Sequence, residues 1–120
     1  MRDLPELNVV TFRVCGVTLE RLPFEAENLD AASARLPPGA YTTLRTYEQR
    51  KVLRLVDHVT RLAQSARRLA PQMQVALTHA QLARAVGQAL DRTGFSDSRV
   101  RITLAAPGGE LFVSVQLFRG

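Results

Sequence analysis

The chain predicts an α+β domain of two layers, a mainly antiparallel sheet with two main helices on one face. Three observations predict it. Val100, Ile102 and Leu104 alternate with Arg99, Arg101 and Thr103, and the same two-residue period returns after Gly109, as expected of half-buried strands. Two segments near the middle instead repeat their apolar residues at helical spacing. The order is strands, helix, helix, hairpin, which fits helices gathered on one face of an antiparallel sheet.

Each element has a local reason. Leu7 to Val14 is apolar enough for a strand, and Gly16 marks a turn into a short second strand near Val17–Glu20. Pro23 to Pro38 reads as a long connection whose Asn28–Arg35 part forms a short helix. Pro37-Pro38-Gly39 stops it. From Ala40 to Tyr47 the pattern alternates again, with Tyr41, Thr43, Arg45 and Tyr47 on one face and Ala40, Thr42, Leu44 and Thr46 on the other. Glu48-Gln49-Arg50 suits a hairpin turn into a strand over Lys51–Leu55. A helix starts near Val56, with Leu55, Val59, Leu62, Ala66 and Leu69 as its apolar stripe, and Pro71 ends it. Thr78 and Gln81 form a capping box for the next helix, Leu77 and Leu82 a hydrophobic staple, and Gly94 its C-terminal stop. Leu82, Val86, Ala89 and Leu90 make the buried stripe. Pro107-Gly108-Gly109 then turns the final hairpin, whose second strand carries Leu111, Val113, Val115 and Leu117 on one face.

Composition narrows the function. A chain of 120 residues fits one domain. Its 46% hydrophobic content is ordinary for a globular protein. No apolar run approaches the roughly 20 residues of a membrane span, and the first residues lack a signal-peptide core. These points predict a cytoplasmic protein without a membrane partner. Cys15 stands alone, and His58 and His79 have no cysteine partner, so no metal site is expected. The net charge is +5, and Lys51 is the one lysine among sixteen basic residues. The arginines are scattered and only 6% of residues are aromatic, which argues against a nucleic-acid surface with stacking platforms.

Two stretches carry chemistry. Strand alternation puts Tyr41, Thr43 and Arg45 on one face. His58-Val59-Thr60-Arg61-Leu62 places a histidine and an arginine one turn apart near the start of a helix. A guanidinium is planar, permanently charged and able to grip phosphate or carboxylate with two parallel hydrogen bonds. Spacing alone favours pairing of Arg61 with Asp57 at i, i+4, and it allows Tyr41 to be a core aromatic and Arg45 to be a solvated strand residue. His58 suits a structural histidine at the base of a site.

Gly39–Tyr47 and Asp57–Leu62 together resemble the N-terminal half of class IV (fold type IV) pyridoxal-phosphate enzymes, the family of branched-chain and D-amino-acid aminotransferases and aminodeoxychorismate lyase. The resemblance runs from Leu36 to Phe118 and is most specific from Gly39 to Leu69. It implies that Arg61, in a pattern like His-x-x-Arg-Leu, binds the phosphate of pyridoxal phosphate, with His58 beside it. It implies that Tyr41, Thr43 and Arg45 face a small amino-acid substrate. Departures are visible. Pro37-Pro38-Gly39-Ala40 stands where the family has Gly-Asp-Gly, and Thr42-Thr43 is closer to the lyase-like pattern than to that of the aminotransferases. The Ala105–Glu110 loop lacks the Arg and His of D-amino-acid aminotransferases.

The family carries its Schiff-base lysine in a second domain, and Lys51 does not match that position. Residues 1–120 are therefore expected to be a single small domain. The C-terminal domain, a homodimer partner and the covalently held cofactor would complete the enzyme. The competing expectation is a binding or dimerisation module that kept the fold without catalysis.

Overall fold

The computed structural model describes residues 9–47, 51–52, 55–72, 78–95, 97–106 and 108–117. The chain forms strands β1 (Val9–Cys15) and β2 (Thr18–Ala26), helix α1 (Leu29–Ser33), strands β3 (Gly39–Tyr47) and β4 (Lys51–Val52), helices α2 (Leu55–Leu69) and α3 (His79–Thr93), and strands β5 (Ser98–Ala105) and β6 (Leu111–Leu117). Five long strands and the two-residue β4 make one sheet in the order β2-β1-β6-β5-β3-β4. Every pairing is antiparallel. The α+β two-layer architecture is the one the patterning predicts.

The helix-covered face is the core. Leu62 and Ala66 of α2 and Leu82, Val86 and Leu90 of α3 pack on Ala40 and Leu44 of β3, Val100, Ile102 and Leu104 of β5, and Leu111, Val113 and Val115 of β6. Burying a side chain of Leu or Ile size contributes about 1.5–3 kcal/mol. The short α1 belongs to a smaller cluster in which Leu29 and Ala32 meet Val9 and Ala26. Val9 and the core residue Phe12 point to opposite sides of β1, so α1 lies against the other face of the sheet.

Local chemistry sets the ends. Thr78 caps α3, its Oγ1 accepting from the Gln81 N–H at 3.1 Å. Gly94 closes that helix in the left-handed region at φ 69°, and its N–H donates to the Leu90 carbonyl at 2.9 Å. Asp57 in the first turn of α2 and Arg67 and Arg68 in its last turn complement the helix dipole. Gly39 sits where β3 presses on β5. A Cβ there would fall onto the Leu104 carbonyl oxygen and lie 2.7 Å from Ala105 Cα.

Several expectations are corrected. The segment from Pro23 to Ala26 is strand, not connection, because β2 continues through a bulge. Val10 pairs with Glu25 and Phe12 with Arg21, so Leu22, Pro23 and Phe24 stand opposite Thr11 alone. Leu55 belongs to α2 rather than to the preceding strand. Leu69, which the periodicity places in the apolar stripe, is 59% exposed. The buried series runs Val59, Leu62, Ala66, Ala70, since the 3.6-residue period carries Ala70, not Leu69, back over the sheet. Leu7, the turn at 48–50, the staple residue Leu77 and Pro107 lie outside the described residues. Among the described residues no helix is long and apolar enough to cross a membrane.

Candidate functional site

The candidate residues divide between the two sides of β3. His58 and Arg61 belong to the helix layer. Tyr41, Thr43 and Arg45 lie on the opposite face, as strand alternation requires.

On the helix side, His58 Nδ1 and the Thr42 hydroxyl are hydrogen-bonded at 2.7 Å in a half-buried position. This bond joins the first turn of α2 to the middle of β3. One turn on, Arg61 is exposed and has no hydrogen-bond or ion-pair partner among the described residues, so the i, i+4 pairing with Asp57 is not formed. The neighbouring Leu62 is almost wholly buried, which fixes the helix while leaving the guanidinium at its surface.

On the other side the organising residue is one that pattern reasoning did not single out. Arg101 of β5 stands directly opposite Thr43. Its Nε donates to Thr43 Oγ1 at 3.0 Å. Its Nη1 donates to Asp30 Oδ1 at 2.9 Å and to Ser33 Oγ at 3.0 Å, both on α1. Its Cζ lies 4.2 Å from the centroid of the Tyr41 ring, a cation–π stack. The Arg101 side chain is only 11% exposed, while Tyr41 is 55% exposed. Arg45 is exposed next to them and directly opposite Arg99. A cavity of about 280 Å³ opens here, lined by Asn28, Asp30, Thr43, Arg99, Arg101 and Gln116 among others.

Among the described residues, the guanidinium groups of Arg45, Arg99 and Arg101 share this face on adjoining strands, and the exposed Asp30 carboxylate is paired with Arg101. Arg101 spends three donor contacts on protein oxygens. Its two Nη2 hydrogens have no partner among the described residues, so the fork keeps capacity for a carboxylate. The alternation of Arg99, Arg101 and Thr103 signalled a polar face on β5. What sequence did not reveal was that this face adjoins Tyr41 and Thr43, because the β3–β5 pairing joins segments more than fifty residues apart.

Elsewhere, His79 is exposed at the start of α3. Among the described residues no group of three or more His, Cys, Asp or Glu side chains could hold a metal ion.

Comparison with known proteins gives a family. The family model for amino-transferase class IV matches residues 39–118. No curated protein matches the chain in sequence. Among solved structures, the chain is similar to a Thermotoga maritima protein provisionally assigned as a branched-chain amino acid aminotransferase. The TM-score is 0.68 at 19% identity, over 93% of this chain and 38% of that one. It is also similar to a branched-chain amino acid aminotransferase from T.th., complexed with N-(5′-phosphopyridoxyl)-L-glutamate. There the TM-score is 0.62 at 17% identity, over 92% of this chain and 40% of that one. A structure of the T.th. enzyme with pyridoxamine 5′-phosphate gives 0.61 at 16% identity, over 98% and 42%. The chain thus spans about two fifths of the length of these structures. With the family model covering two thirds of its residues, including both stretches that carry the candidate site, the chain belongs to the class IV aminotransferases.

Proposed function

We propose that the chain is the small domain of a pyridoxal-phosphate enzyme, an aminotransferase or lyase, and supplies the phosphate anchor and one wall of the substrate pocket. The observation that supports this most is the fixed guanidinium of Arg101, stacked on Tyr41 and bonded to Thr43, with donors left for an incoming carboxylate.

The residues present fit the cofactor's phosphate. Arg61 is an exposed guanidinium without a partner among the described residues, on a helix held to β3 by the His58–Thr42 bond. A planar, permanently charged fork suits a phosphate ester. Arg61 would hold the phosphate, and His58 would keep the helix turn beneath it in place. Pyridoxal phosphate, when bound, supplies an aldehyde that takes up an amino group and a ring that accepts electron density from the neighbouring carbon. On the opposite face, Arg101 and Arg45 bind and orient the substrate carboxylate, and Thr43 fixes the plane of the Arg101 fork. Tyr41 covers the site and reduces its contact with water. The proton-moving lysine would come from a second domain, and a further wall from a second copy of the chain. The two-fifths span of the solved structures supports a division of this kind.

Equilibrium dialysis of pyridoxal phosphate against the protein with its second domain present tests the anchor. Arg61→Ala should weaken binding by about 1.5–3 kcal/mol, the range for hydrogen bonds to charged groups. That corresponds to roughly tenfold to more than a hundredfold in affinity. Undiminished cofactor retention removes Arg61 from this role.

A further inference from the structure

We propose that the recess between the end of α3 and the β1–β2 pair is a second binding site, which takes a small aryl carboxylate with its ring in the recess and its carboxylate on Arg92. The site lies on the helix side of the sheet, on the face opposite to Tyr41 and Arg101. It does not depend on the proposed function.

A cavity of about 200 Å³ is lined by Val10, Phe12, Arg21, Arg92, Thr93 and Phe95. Its shape follows from the fold. Helix α3 packs on β6, β1 and β2 and stops at Gly94, whose left-handed φ of 69° turns the chain and brings Phe95 to the rim. The bulge in β2 sets Arg21 opposite Phe12. Phe12 is 1% exposed and makes the floor. Val10 and Phe95 are half-buried, so apolar surface stays in contact with water, and a ring that covers it gains from its removal. An apolar cavity of about 150 Å³ is enough for one benzene ring.

Arg92 supplies the charge. Its Nη1 donates to the Leu19 carbonyl at 3.0 Å, and its Cζ lies 5.0 Å from the centroid of the Phe12 ring. These contacts hold the guanidinium across the gap between α3 and the sheet, and both are to uncharged groups. Arg92 forms no ion pair among the described residues, and its Nε and Nη2 hydrogens have no partner there. That edge of a guanidinium matches the two oxygens of a carboxylate. Arg21 differs, because its Nη2 lies 2.6 Å from Glu25 Oε2 and its charge is already answered. One positive charge without a counterion beside a ring-sized apolar recess is complementary to an acid carried on a single ring. An anion without a ring leaves the recess empty, and a neutral aromatic leaves the arginine unmet.

The test titrates this chain with phenylacetate and follows the ring-proton chemical shifts of Phe12 and Phe95. Both rings should shift together, and affinity should fall as salt rises. Acetate and benzyl alcohol should each bind about tenfold more weakly or worse, a difference of about 1.4 kcal/mol. Arg92→Met, which keeps the apolar stem, should lower affinity for phenylacetate to that of benzyl alcohol. Val10→Phe fills the recess without altering Arg92 and should abolish binding, with thermal unfolding confirming that the variant folds. If neither ring shifts with phenylacetate, or if Val10→Phe binds it as wild type does, the site is overturned. Equal affinity for acetate and phenylacetate overturns the part given to the recess. Equal affinity for benzyl alcohol and phenylacetate in the wild-type chain overturns the part given to Arg92, a comparison that holds even if Arg92→Met fails to fold.

Discussion

Along β5 the residues facing the helices and those facing away obey different rules. Val100, Ile102 and Leu104 are buried and apolar, and they pack against α2, α3 and the matching residues of β6. Arg99, Arg101 and Thr103 share the same backbone and point the other way. On that face Arg101 is tied by directional bonds, and like charges stand side by side. The first face gains stability from area removed from water. The second is ordered by directional bonds to Arg101, with Arg99 and Arg45 opposed across the β3–β5 pair. One strand thus separates the residues that make the fold from those that would use it.

The largest expected effect breaks the comparison if the helix face is not the core. Ile102→Ala should destabilise the chain by about 2–5 kcal/mol in chemical denaturation, the range for large-to-small changes in a close-packed interior. A cost no greater than that of a surface change would show that α2 and α3 do not bear on β5 as described.

A second experiment sharpens the rule for the opposite face. Thr11 Oγ1 and Ser114 Oγ are hydrogen-bonded at 2.8 Å across β1 and β6, in a buried position. Thr11→Val leaves the serine hydroxyl without its partner and should cost about 1–3 kcal/mol. Adding Ser114→Ala should recover most of that loss, since replacing both partners by apolar groups is nearly neutral. Simple additivity of the two changes would mean that the pair acts through packing and not through its bond.

The smallest effect has the opposite sign. Arg99→Thr relieves the like-charge pair with Arg45 and supplies a β-branched residue, so thermal unfolding should show a gain of about 0.2–1 kcal/mol. A loss of stability instead would show that Arg99 is held by attractive contacts.

Much of the helix face was legible in the sequence because a single period governs it. The stripes from Val59 to Ala66 and from Leu82 to Leu90, the Thr78 cap and the Gly94 stop each depend on residues within a few positions. The limits of that logic show at Leu69, where the helix ends and a smaller alanine takes the buried place. They show again in β2, because Pro23 reads as a strand breaker unless the bulge that accommodates it is known. The candidate site was legible where it is local: Tyr41, Thr43 and Arg45 share a face, and His58 and Arg61 lie one turn apart. Its centre was not. Arg101 gains its setting from β3, and Asp30 from the folding of α1 across the sheet, so neither contact leaves a mark on the neighbouring sequence.

The bulged edge of the sheet has a consequence for how this protein meets other chains. A free strand edge is a template on which foreign backbone extends the ladder. At β2 the proline removes a donor, and three residues crowd against one, so the edge lacks the regular spacing that a new strand needs. Growth of cross-β aggregates from this side is therefore disfavoured during synthesis and storage. Restoring an even edge, by shortening the bulge and replacing Pro23, would turn a quiet margin of the molecule into a nucleus for fibres.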